Sequence, residues 1–268
     1  MKIKSLIFSL LLLSGMMACK KDGTEEPAYY PATLDVVTNL VQLSLDTLNN
    51  SLVAAGAELA SAGADSATIR AKLQQLFAAS SFAKELDYIN LQGIMKIIEP
   101  PAYYQYQGTD FSNDTAVMSV IATHQPVFSN YFEATEGFAA VVDIHPVNSG
   151  AYSFGAIEAL FTPFDLLNRI IAPRVNAPNE IWVLEMDGVV IYDPDISGIG
   201  ANVFSDPYFA PFTSFIAACH IIVMNESGET AYTFYQTGTT TPVVKKVWWK
   251  TIHLHGINTW KIVWAEPE

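Results

Sequence analysis

The sequence predicts an α+β protein in which two small antiparallel sheet modules pack along one long N-terminal helix. Three observations carry this reading. An apolar heptad pattern over residues 33–62 is the longest helical stretch in the chain. Residues 85–99 and 182–193 both read as strand, glycine turn, strand. After each of these hairpins the chain repeats one order: a loop, a short helix, then a meander of β-rich segments.

Composition supports a packed core. Half of the 268 residues are hydrophobic and 12% are aromatic, well above what disordered chains carry. The net charge of −13 repels phosphate backbones, which argues against nucleic-acid partners. Residues 1–18 have export chemistry: Lys2 and Lys4, an apolar run from Leu6 to Leu13, then Ser14-Gly15-Met16-Met17-Ala18 before Cys19. The small residue directly before Cys19 resembles a bacterial lipobox, with Met16 where Leu is usual. On that resemblance Cys19 carries a lipid and anchors the chain in a membrane; the alternative is an ordinary signal peptide cut near Ala18. Residues 19–32, polar and punctuated by Pro27 and Pro31, read as a tether. Cys219, in an apolar run, reads as a small buried residue.

Along residues 33–62, Leu34, Val41, Leu48, Ala55 and Ala62 recur every seven positions, with Leu45, Leu52 and Leu59 offset by four. The seam suits either a coiled-coil dimer or a rod packed along the sheets. Its shrinkage from Leu to Ala favours the rod. The first module (63–172) holds a helix from Asp65 to Phe77, the hairpin broken by Pro100-Pro101, a helix over 114–123, strands over 127–132, 137–147 and 152–161, and a helix over 164–171. The second (173–268) holds the hairpin turning at Met186-Asp187-Gly188, a loop through Pro194, Gly198, Gly200 and Asn202, and helical turns over 206–218. Strands over 220–225, 230–237, 243–254 and 259–265 complete it.

This order, and the exit strand, Asp/Gly loop and Asp206-Pro-Tyr-Phe209 of the second copy above all, resembles the double Cache family of PAS-like extracytoplasmic sensor domains. The resemblance implies a small-molecule ligand on the concave face of a sheet, under the loop and helix after the hairpin. It also implies a membrane-bound signalling or transport partner, because the chain ends at Glu268 without a second membrane segment or a cytoplasmic signalling region. In the first, membrane-distal copy the resemblance places Tyr103, Tyr104, Tyr106, Phe128, Asn130, Phe132 and Asp143 at the ligand. In the second it places Trp182, Tyr192, Asp206, Tyr208, Phe209, Phe212, Tyr232, Tyr235 and Trp248 there, with only one of Trp248 and Trp249 facing inward. One subgroup of the family holds amino acids with an Arg-Trp-Tyr cluster and a late-strand Asp. Here no Arg lies between Arg70 and Arg169, and Leu160 stands at the Asp position. A free amino acid held in that manner is therefore not expected. A scaffold protein that keeps the fold without a working pocket is the alternative function.

Other chemistry is thinner. Asp193-x-Asp195-x-Ser197-Gly198 matches half of a calcium loop, but Phe204 stands where the bidentate Glu is needed. Local hydrogen bonding of those Asp side chains is the better account. His253-x-His255 lacks an evident third ligand for a metal. No Gly-x-Ser-x-Gly, His-Glu-x-x-His or phosphate-cradling loop occurs. The expectation is a non-enzymatic protein without cofactor or metal.

Overall fold

A computed structural model describes residues 31–63, 65–150 and 152–268. The leader, Cys19 and most of the tether lie outside the described residues. Helix α1 (Ala32–Ala62) is a rod of about 46 Å at 1.5 Å per residue. Helix α2 (Ser66–Ala79) follows, capped by Asp65, whose carboxylate accepts the Thr68 N–H at 2.8 Å.

The first sheet contains β1 (Glu85–Ile89), β2 (Met95–Glu99), β3 (Val127–Phe128), β4 (Phe132–Glu133), β5 (Ala139–Ser149) and β6 (Tyr152–Phe161). Its order is β2-β1-β6-β5-β3, with β4 pairing β5. Helix α3 (Thr115–Thr123) lies in its crossover, and α4 (Pro163–Ile171) leads out of it. The second sheet contains β7 (Glu180–Glu185), β8 (Val190–Tyr192), β9 (Ser227–Tyr235), β10 (Pro242–Leu254) and β11 (Ile257–Pro267), with helix α5 (Thr213–Met224) before β9. Its order, β8-β7-β11-β10-β9, repeats that of the first.

The repeat extends to single hydrogen bonds. Gly93 and Gly188 turn the two hairpins with φ of 76° and 98°, where a Cβ is disfavoured. The carbonyl of Gly93 accepts from Phe111, and that of Gly188 from Val203. Ile94 bridges Asp110 as Val189 bridges Asn202. Both loops thus fold back over their own hairpins by the same bonds.

The heptad seam is buried from Leu34 to Leu59, against strands of both sheets. The rod packing is therefore the observed one, and the seam is consumed within the chain. Ala62, the last position of the pattern, is exposed. A Cβ on Gly56 would lie 2.7 Å from the Pro146 carbonyl oxygen, so the helix and β5 touch through backbone there. Each sheet is covered twice: by α1 on one face, and by α3 or α5 with the hairpin loop on the other. Among the described residues no helix is long and apolar enough to cross a membrane.

Two expected elements differ. Residues 220–225 are helical up to Met224, the second half of α5, and not a strand. The β-branched Ile221-Ile-Val223 run continues a helix that begins at Thr213 and buries Phe215, Ala218, Cys219 and Ile222, and a run so largely apolar has no period to separate the two states. The strand expected over 127–132 is two short pairings, β3 and β4, interrupted at Ser129-Asn130-Tyr131. That interruption borders the cavity described next.

Candidate ligand-binding site

Strand parity decides which side chains face the covered outer side of the first sheet. On β1 they are Glu85, Asp87 and Ile89; opposite them on β6 lie Leu160, Glu158 and Ala156. On β5 they are Ala140, Val142 and Ile144. Between this floor and the cover of α3 and the 129–136 segment lies a cavity of about 310 Å³, within the range of small-molecule sites. Met95, Phe111, Val117, Tyr131 and Leu160 give it apolar walls, and Ser129 and Thr135 contribute neutral polar groups.

Its charged lining is wholly acidic: Glu85, Asp114, Glu136 and Glu158. Asp87 lies fully buried on the same face, paired in register with Glu158. Burial first, then the charges of Glu136 and Glu158, push the Glu85 carboxyl up to about 8. Burial first, then Asp114 and Glu136, push Glu158 to about 7, although a hydrogen bond with Asp87 works the other way. Burial, Glu158 and Glu85 hold Asp87 well above the carboxylate range. Burial and mutual repulsion thus favour the protonated forms of these floor carboxyls. These three acids escaped the sequence reading, and the signal was present. Glu85-x-Asp87 alternates on an apolar strand, and Glu158 is a lone acid in Ala156-Ile-Glu-Ala-Leu-Phe161.

Of the residues expected in this pocket, Asn130 and Phe132 line the cavity. Tyr103 packs on Phe138 and lines no part of the cavity; burial pushes its phenol upward. Tyr104 turns away: its hydroxyl donates to Glu99 at 2.7 Å and Arg70 lies over its ring. Tyr106 packs against Tyr103 and lines no part of the cavity. Phe128 and Asp143 pair across β3 and β5 on the opposite face, towards α1. Phe128 packs on Phe161 and Trp260 there. One residue of parity separates them from Val127 and Val142, which face the cavity side.

Asp143 has another task. Its Oδ1 accepts from His145 Nε2 at 3.1 Å and from His255 Nε2 at 2.8 Å, so a buried carboxylate of the first sheet holds the β10–β11 turn of the second. Burial alone raises its carboxyl, but the two imidazoles outweigh this and hold it below the usual range. These three residues also bring one metal-ligating atom each within 4.8 Å of the others. His253, by contrast, faces out towards Glu226.

A second link joins the cavity wall to the second sheet. The Tyr131 N–H donates to both carboxylate oxygens of Glu185, at 3.0 and 2.9 Å, and Asn130 Nδ2 donates to Asp187 at 3.2 Å.

The equivalent space in the second sheet is almost full. Phe209, Phe215, Tyr232 and Phe234 interlock around Trp182, leaving about 30 Å³, room for roughly one water. Trp182, Tyr208, Phe209, Tyr232 and Tyr235 border that remnant, and Phe212 packs on Phe234 and Tyr235 beside it. Tyr192 faces the α1 side and bonds Asn168. Asp206 is half-buried and accepts the Tyr208 N–H, bordering no part of that remnant. Trp248 also faces the α1 side, and Trp249 is the inward member of that pair. Lys245 is buried in an ion pair with Glu180. The Asp193–Ser197 loop is held locally, Asp193 accepting from the Asp195 N–H at 2.7 Å and Asp195 from the Ser197 N–H at 3.2 Å. Cys219 is fully buried, and burial pushes its thiol upward.

Two sheets with one repeated topology, laid along a shared helix, give this chain a double Cache-type fold. Residues 43–163 match the family model described as the sensor domain of HK/GC/chemotaxis protein-like sequences. An extracellular ligand binding receptor from Desulfohalobium retbaense DSM5692 is similar in structure, with a TM-score of 0.73 and 26% identity over 88% of this chain. The alignment spans 40% of that receptor's length. The ligand-binding domain of the Pseudomonas fluorescens chemoreceptor CtaA, solved with L-serine, aligns with a TM-score of 0.66 and 13% identity, covering 88% of this chain and 94% of that one. That of the Pseudomonas aeruginosa PAO1 amino acid chemoreceptor PctB, solved with L-Gln, aligns at 0.61 and 13%, covering 87% and 88%. None of the curated proteins compared with the chain matches it.

Proposed function

We infer that this protein is a non-enzymatic extracytoplasmic sensor that binds a small organic molecule in the cavity of its first sheet. The observation that carries the reading is the contrast between the two sheets: about 310 Å³ open in the first and about 30 Å³ in the second. The relatives that are ligand-binding receptors support it. The basic, apolar and Ala18-Cys19 sequence of the leader supports export and lipid anchoring, and the links through Glu185 and Asp143 support passage of a binding signal to a membrane-bound partner.

Thermal-shift screening of small metabolites tests this, with Ala116→Phe placing a ring in the cavity. A ligand at 100 times its Kd adds about 2.7 kcal/mol of stability, and the variant abolishes that gain. A folded protein with no shift across a broad library would favour the scaffold reading.

A further inference from the structure

We propose that the first-sheet cavity takes an organic cation, an amine whose ammonium group sits against Glu85 and Glu158. This rests on the reading of that cavity as the ligand site, and narrows it to a class. Four carboxylates line the space, and no Lys, Arg or His does. Glu85 is 98% buried by its 2% exposure, borders the cavity, and its Oε2 has no hydrogen-bond partner. A buried acceptor left unpaired is costly, and a positively charged donor in the cavity would satisfy it with a charge-assisted bond. An anion or a free amino-acid carboxylate would find no cationic partner there. The rings of Phe111, Tyr131 and Phe132 offer π faces to a cation.

A bare metal ion fits less well. The walls are largely apolar, the volume far exceeds one ion's, and hard cations need six or more oxygens at about 2.0–2.6 Å. Among the described residues these acids form no three-ligand cluster of metal-binding compactness.

The groups facing the cation would be Glu85 from β1, Glu158 from β6, Asp114 at the start of α3 and Glu136 before β5, with the buried Asp87 beside Glu158 on the same sheet face. Because burial favours the protonated carboxyls, an entering ammonium favours release of at least part of those protons.

Isothermal titration at pH 7.5 in two buffers of different ionisation enthalpy tests this. The probes are 2-phenylethylamine, 1,4-diaminobutane and choline, with 2-phenylethanol, 3-phenylpropanoate and phenylalanine as neutral, anionic and zwitterionic counterparts. The expected result is binding of at least one amine with proton release, weakened roughly ten- to a hundredfold in Glu85→Gln and in Glu158→Gln. Amine binding that both variants leave unchanged, or amines no tighter than their neutral counterparts, would overturn the proposal. If a neutral or anionic probe binds and Ala116→Phe abolishes it, the ligand site stands and the cation falls. If no probe binds, the cation is again refuted, and the metabolite screen alone decides the site.

Discussion

Replacing Glu158 by Gln should make the empty protein more stable, and only above mildly acidic pH. Glu158 is 7% exposed and its carboxyl is pushed from 4.5 to about 7. Between those values the unfolded chain releases a proton that the folded chain keeps, so folding stability falls as pH rises. At about 1.4 kcal/mol per pH unit, the full penalty is on the order of 3 kcal/mol and is reached near pH 7. Gln is isosteric and carries no proton to lose. Glu158→Gln should therefore match the wild type near pH 4 and exceed it by about 3 kcal/mol at pH 8. Urea denaturation followed by fluorescence of the five tryptophans measures both, with m-values checked for equality. A variant less stable than wild type at pH 8, or a difference that does not vary with pH, would refute the argument. The gain should come with loss of ligand affinity, the usual opposition between stability and a strained site.

Other outcomes follow from the same structure. Gly56→Ala raises helix propensity by about 1 kcal/mol, but its methyl meets the Pro146 carbonyl at 2.7 Å; a net loss of about 1–3 kcal/mol is expected, read by urea denaturation. Asp143→Asn leaves His145 and His255 without their carboxylate and should cost about 3 kcal/mol near pH 7. Because the folded carboxyl lies below its ordinary value, that stability is present above about pH 4 and is lost as pH falls through the folded value; the variant's deficit should shrink on acidification. Phe215→Ala opens the filled core of the second sheet and should cost about 3–5 kcal/mol, while ligand affinity at the first sheet is retained. Cys19→Ser should abolish incorporation of a fatty-acid analogue in cells and release the protein from the membrane fraction.

Much of the fold was legible because its punctuation is local. Gly93 and Gly188 mark the hairpins, Asp65 and Asp114 cap helices, and the Leu seam of α1 has a clear seven-residue period. The failure at residues 220–225 is physical: Phe215 to Met224 is apolar on nearly every side, so β-branched content outweighed a helix set by burial against β9 and β10. Which face a strand residue takes was harder to read. The strands alternate faces residue by residue, so a one-position misreading put Phe128, Asp143, Tyr192 and Trp248 on the wrong side of their sheets. Aromatic richness misled as well. In the second copy it marks a filled core, whereas the open cavity is marked by acids on β1 and β6 that composition alone assigns to solvent.

The tie between Tyr131 and Glu185 makes the cavity rim a lever with its far end in the other sheet. A guest that shifts the peptide at position 131 by an ångström must stretch two hydrogen bonds or drag β7 with it, and β7 is zipped directly to β11. The reading of a molecule in one half would then be written as a displacement in the other, without a hinge, a melted segment or any change in the rod between them.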